Sequence, residues 1–270
     1  MGYANILVSA DLGEAAPGRI RLAADLARRF QATLTGGAAH KVPIPILVSD
    51  VYEAVEHMER NAGRIRGLLE RARKLFAGCA GHEIRTDWHS DFADSITHLV
   101  EQARAADLIV VSRRGPDDED PGPLGVPPGP VVMEAGRAVL VVPPRVVRLK
   151  GARIVVAWRD GAEVRRAVSA ALPLIRDADQ VYVATVGENA QAEGVEDAAG
   201  HLTRHGASVT THLLRASGRK ADEIVSFTAR QDADLIVMGA YGHSRLREWM
   251  FGGVTRDLLD RSPVCCLVSH

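Results

Sequence analysis

The chain repeats itself, and an internal repeat restricts the fold more than any single motif does. Residues 4–8 read ANILV and residues 152–156 read ARIVV. Residues 106–111 (ADLIVV) pair likewise with 233–238 (ADLIVM), and 138–142 (AVLVV) with 264–268 (VCCLV). The order is kept at offsets of 148, 127 and 126 residues, which points to a tandem duplication. The fall in offset gives the first copy about twenty extra residues between its first and fourth apolar runs. The boundary is expected at Pro143-Pro144-Arg145, giving domains 1–146 and 147–270. A length of 270 residues suits two domains, each with its own core.

Each copy alternates apolar runs with helical periodicity. In the first, strands are expected at 4–10, 33–39, 83–88, 107–112 and 138–142, and helices near 17–30, 51–77 and 93–105. In the second, strands are expected at 152–158, 180–186, 208–214, 234–239 and 264–268, with helices at 162–176, 192–205, 220–231 and 254–261. Asp94 or Ser95 is placed to cap the helix that follows it. DLIVV and DLIVM are apolar at consecutive rather than alternating positions, the mark of strands covered on both faces. The expected fold class is therefore α/β, with two tandem doubly wound parallel sheets of Rossmann-like type. Ligands of such sheets sit beyond the carboxyl ends of the strands, where the strand order switches. The loops after the first and fourth strands of each copy are the places to look.

In the second copy the fourth strand leads into Gly239-x2-Gly242-x9-Gly252, then Gly253-Val254-Thr255 at the start of a helix. Glycines let the backbone approach an anion closely, and successive N–H groups can converge on it. The helix start adds free N–H groups and a positive dipole end. Arg245 and Arg247 bring positive charge, and Thr255 a hydroxyl. The plainer alternative is that the glycines only make tight strand-to-helix turns.

This loop, set in a duplicated βαβ pattern, resembles that of the universal stress protein family, whose motif is G-x2-G-x9-G followed by Ser or Thr. The resemblance covers the whole chain as two copies, and the motif is intact only in the second, with Gly253 where the family often has Ser. It implies binding of ATP or a related adenine nucleotide, with Mg as a possible companion. The implied contacts are Asp160, Val183, Met238, Gly239, Gly242, His243, Gly252, Gly253, Val254 and Thr255. The acidic residue that the family carries after its first strand corresponds to Asp11 in the first copy. In the second, Asp160 is either that contact, shifted by one, or a helix N-cap. The resemblance also implies pairing of the two halves through their last strands as an intramolecular pseudo-dimer, and a homodimer of chains.

The matching loop of the first copy retains only Ser112-x2-Gly115-x9-Gly125. Pro127, Pro128 and Pro130 lack the N–H donors a phosphate cradle needs. Asp117, Asp118, Glu119 and Asp120 would repel an anion. Six of the chain's 13 prolines lie between 116 and 130, so an extended loop is expected there, with the acidic run a solvated face. The first half is thus expected to be structural or regulatory, and the second to hold the ligand.

Other functions find little support. Thirty-three Lys and Arg against 34 Asp and Glu argue against a nucleic-acid binder. No apolar run approaches ~18 residues, and the chain enters a strand at once, so neither a membrane span nor a signal peptide is expected. Cys79, Cys265 and Cys266 make no disulfide framework and suggest a reducing cytoplasm. No G-x-G-x-x-G follows a first strand, and neither G-x4-G-K-[ST] nor G-x-S-x-G occurs. Ser217 to Asp222 reads as a turn and cap. His201 and His205, four apart, read as a solvated helix face without a third metal ligand. With no evident general base, the expected role is a regulatory stress-response protein that binds nucleotide, with hydrolysis at most slow. The rival is a nucleotide-independent dimerisation or interaction protein of the same fold.

Overall fold

The computed structural model describes residues 2–43, 51–187, 194–215, 218–240 and 253–270. The strands are β1 (Asn5–Ser9), β2 (Thr33–Ala39), β3 (Thr86–Asp91), β4 (Leu108–Ser112) and β5 (Ala138–Val142), then β6 (Arg153–Ala157), β7 (Gln180–Val186), β8 (Val209–Leu214), β9 (Leu235–Gly239) and β10 (Cys265–Ser269). The helices are α1 (Ala16–Phe30), α2 (Val51–Ala80), α3 (Ser95–Gln102), α4 (Pro128–Glu134), α5 (Ala162–Arg176), α6 (Val195–Arg204), α7 (Lys220–Arg230) and α8 (Val254–Arg261). None of the described helices is long and apolar enough to cross a membrane.

The strands form one ten-stranded sheet in the order β3-β2-β1-β4-β5-β10-β9-β6-β7-β8. Each half repeats one parallel pattern, with the switch of strand order between β1 and β4 and again between β6 and β9. The halves join where β10 runs antiparallel to β5, pairing Leu267 with Leu140. The pairing through last strands is therefore present within the chain. Strands β4, β5 and β10 are buried at every residue, which accounts for their unbroken apolar runs. Of the outer strands, β3 is largely exposed and β8 mostly half-buried, and both carry polar residues (TDWHSD, VTTHLL) suited to a sheet edge.

One core on each face of the sheet spans both halves: Ile6, Leu34 and Leu140 share a cluster with Ile154, Leu174 and Leu267. On the other face Leu7, Val131 and Val141 pack with Ile236, Leu258 and Val268. On the first of these faces, Tyr3 Oη donates to Ala170 O at 2.8 Å and Arg29 pairs with Asp177 at 2.9 Å.

Two expectations need correction. The segment from 113 to 130 is not extended throughout, because Pro127 caps α4 and Pro128 opens it. A proline at the first helical position forfeits only an N–H that would have no partner anyway, and its fixed φ suits the helix. The acidic run is not wholly solvated either: the Asp118 side chain is 7% exposed and pairs with Arg113 at 2.5 Å. Smaller differences are the shift of the third strand to Thr86–Asp91 and the capping of α3 by Asp94 alone, which accepts from Ile96 N and Thr97 N.

Candidate functional site

In the second half, the carboxyl ends of β6 and β9 part at the switch of strand order and leave a cavity of about 120 Å³. Its floor is made by Ala157 and Trp158 at the end of β6, Met238 and Gly239 at the end of β9, and Ala184, Thr185 and Val186 of β7. Three helices begin around it, contributing Glu163 and Val164 (α5), Lys220 and Ile224 (α7), and Val254 and Thr255 (α8). Helix N-termini concentrate partial positive charge, and here two exposed cations, Arg159 and Lys220, add to it.

Of the residues expected from the sequence, Asp160, Met238, Gly239, Val254 and Thr255 line this cavity. Val183 is fully buried in the core and does not, although the next three residues of its strand do. Gly253 is the N-cap of α8, in extended conformation (φ −130°, ψ 171°) and with no side-chain cap hydrogen bond. Gly242, His243 and Gly252 lie outside the described residues, as do Arg245 and Arg247.

Asp160 is not a helix cap; Gly161 holds that position in α5. Its carboxylate instead accepts from Arg165, at 2.6 and 2.7 Å. Gly239 has a packing reason of its own. A Cβ there would lie 2.6 Å from Val164 N and 2.9 Å from Glu163 Cβ, so the first turn of α5 crosses β9 where only glycine fits. The cavity residues that the sequence reading missed include Ala157, Trp158, Arg159, Glu163, Val164, Lys220 and Ile224. Lys220 fell within a segment read as a turn and cap. The signal was available in the topology, because helices that follow parallel strands all begin at the carboxyl edge.

In the first half a side chain stands between the strand ends, and a cavity of about 600 Å³ with Asp11, Glu14, Ser112, Arg113, Asp117 and Glu119 in its lining remains at the carboxyl ends of β1 and β4. Arg19 of α1 is 1% exposed, and its guanidinium lies between the ends of β1 and β4. It donates to Ser9 O at 3.1 and 2.8 Å, to Asp11 Oδ2 at 2.7 Å and to Ser112 Oγ. Asp11 is committed to this ion pair and to Gly13 N, at 3.0 Å.

The loop beyond Ser112 has a different task. Arg113 donates to both carboxylate oxygens of Asp118, at 2.9 and 2.5 Å, and Asp118 also accepts from Gly115 N at 2.6 Å. The guanidinium and the Gly115 N–H hold the Asp118 carboxyl below its usual range. His201 and His205 meet edge-on at 4.7 Å, and among the described residues no group of three or more His, Cys, Asp or Glu is placed to hold a metal.

Residues 159–270 match the family model described as the universal stress protein family. The C-terminal half is a universal stress protein domain. The universal stress protein fold also extends over the whole chain. A universal stress protein from Archaeoglobus fulgidus DSM 4304 superposes with a TM-score of 0.73, at 17% identity over 98% of this chain and 97% of that one. A functionally unknown protein from Pseudomonas aeruginosa PAO1 gives 0.55, at 19% identity over 99% and 92%. A universal stress protein from Archaeoglobus fulgidus, solved in complex with dAMP, matches at 23% identity over 43% of this chain and 95% of that one, with a TM-score of 0.31. No curated protein matches the chain's sequence significantly.

Proposed function

We propose that the chain is a regulatory stress-response protein of the cytoplasm that binds ATP or a related adenine nucleotide in a C-terminal domain, 147–270. The N-terminal domain, 1–146, then carries a counterpart whose cavity is lined by carboxylates, which oppose an anion. The observation that carries this reading is the convergence of three helix N-termini, with Lys220 and Arg159, on the cavity between β6 and β9. The apolar floor (Ala157, Met238, Ile224) suits a purine and ribose. The first turn of α8 and Lys220 suit phosphates, with Gly239, Gly242, His243, Gly252, Gly253, Val254 and Thr255 as the phosphate-side loop. Mg would enter on the phosphates, since the two carboxylates that line the cavity, Asp160 and Glu163, are paired with Arg165 and Arg166.

A second reading, a nucleotide-independent interaction protein, is favoured by one observation. The cavity of about 120 Å³ is smaller than the roughly 300–1,000 Å³ of common small-molecule sites. In either reading a homodimer needs a surface other than β5 and β10, which are paired with each other.

The deciding experiment is a calorimetric ATP titration, with and without Mg, of the wild type and Lys220→Met. One nucleotide per chain and weaker binding by the variant support the nucleotide reading. No binding at millimolar ATP would transfer support to the interaction protein.

A further inference from the structure

In this fold the loop after the fourth strand is the one expected to meet phosphate. In the first half it meets the second half instead. Arg113, the residue after β4, extends Nη1 to Ser262 O at 2.9 Å. Ser262 is the C-cap of α8 and is itself 1% exposed, so this carbonyl finds its partner on the other half of the molecule. The same loop presses on the last turn of α8: a Cβ on Gly115 would lie 2.1 Å from Asp260 O. Asp118 locks the contact by clamping Arg113 and Gly115 together.

The other end of α8 faces the cavity through Val254 and Thr255. The helix has eight residues, roughly 12 Å of length, so its two ends move as one body. We infer that Arg113 is a positioning residue for the second half's site: it fixes α8 from behind and so sets where the helix N-terminus stands at the cavity. The degenerate loop has exchanged contact with an anion for control of the element that would contact one across the junction. The inference rests on the nucleotide reading for its ligand, but not for its mechanical part.

The test uses the full chain. Amide hydrogen exchange is followed without ligand in the wild type, Arg113→Met and Gly115→Ala, beside ATP titrations of all three. Arg113→Met is expected to speed exchange of the Leu258 to Ser262 amides, and both variants to weaken ATP binding by about five- to tenfold, within the usual range of coupling between sites. Because a merely destabilised chain would also exchange faster, Arg113→Lys supplies the control. It keeps a donor for Ser262 O and is expected to restore much of the affinity. Unchanged α8 exchange in Arg113→Met overturns the inference whatever the ligand result. Faster exchange with unaltered ATP affinity overturns the positioning role. A wild type that binds no ATP overturns the nucleotide reading and Arg113's role in it, and α8 exchange then reports the mechanical link alone.

Discussion

Arg19 and Asp11 form an ion pair 2.7 Å long at the carboxyl ends of β1 and β4, where the side chains are 1% and 3% exposed. The guanidinium stands at the switch of strand order, where the second half instead has its cavity. The first half thus places one of its own side chains between these strand ends, beside a cavity whose lining is rich in carboxylates. All three guanidinium nitrogens are engaged, so the buried charge is both paired and hydrogen-bonded.

Removing one partner of such a pair strands the other. Arg19→Met is expected to cost about 3–5 kcal/mol, because the Asp11 carboxylate remains buried without its cation. Denaturant unfolding measures this. A loss below about 1 kcal/mol would show that water or rearrangement satisfies Asp11 at little expense.

Gly253 lies in an extended conformation open to any residue, so its glycine is not required by backbone strain. Gly253→Ser should be accommodated and should add a hydroxyl at the start of α8. If phosphate sits there, one added hydrogen bond is expected to tighten ATP by about 2- to 10-fold. Weaker binding on titration would show that the serine caps the helix in competition with the ligand.

Asp118 gives the inter-half loop a dependence on acid. Its pKa is lowered chiefly by the hydrogen bond from Arg113; burial opposes this, and the Gly115 N–H and the charge of Arg113 add to the lowering. A depressed carboxyl stabilises the fold above its unfolded pKa of about 3.9, and this contribution is lost as pH falls through the lower folded value. The difference in Tm between the wild type and Asp118→Asn should therefore be constant above about pH 5 and shrink below about pH 4. A difference that grew on acidification would refute this.

The cysteines should separate by reactivity. Burial raises the thiol of Cys265 and pushes that of Cys266 up to about 11, whereas Cys79 is partly exposed. Thiolate is the reactive form. A disulfide reagent should therefore titrate Cys79 alone in the native chain and all three cysteines after unfolding. Rapid native labelling of Cys266 would mean that the β5–β10 junction opens.

Strands and helices were legible where periodicity or an unbroken apolar run identified them, and α5, α8, β2, β5 and β7 fall where the pattern placed them. α4 was hidden because prolines read as helix breakers, and only their position at its first turn reverses that meaning. Arg19 was hidden because an arginine in an amphipathic helix reads as surface, and its burial follows from strand ends that sequence distance does not reveal. Asp160 was ambiguous between ligand and cap, and a third role, partner of Arg165, came from a side chain five residues away. Gly239 fits a phosphate motif and a packing constraint equally well, so spacing alone could not separate the two.

The antiparallel contact of β5 with β10 has an evolutionary corollary. In a homodimer built from one gene, symmetry applies every substitution to both copies at once. Here the two copies are covalently joined and meet at a concentration set by the chain rather than by the cell. One copy is therefore free to drift: it can set an arginine between its strand ends, line its cavity with carboxylates and keep its partner, with the other copy left under separate selection.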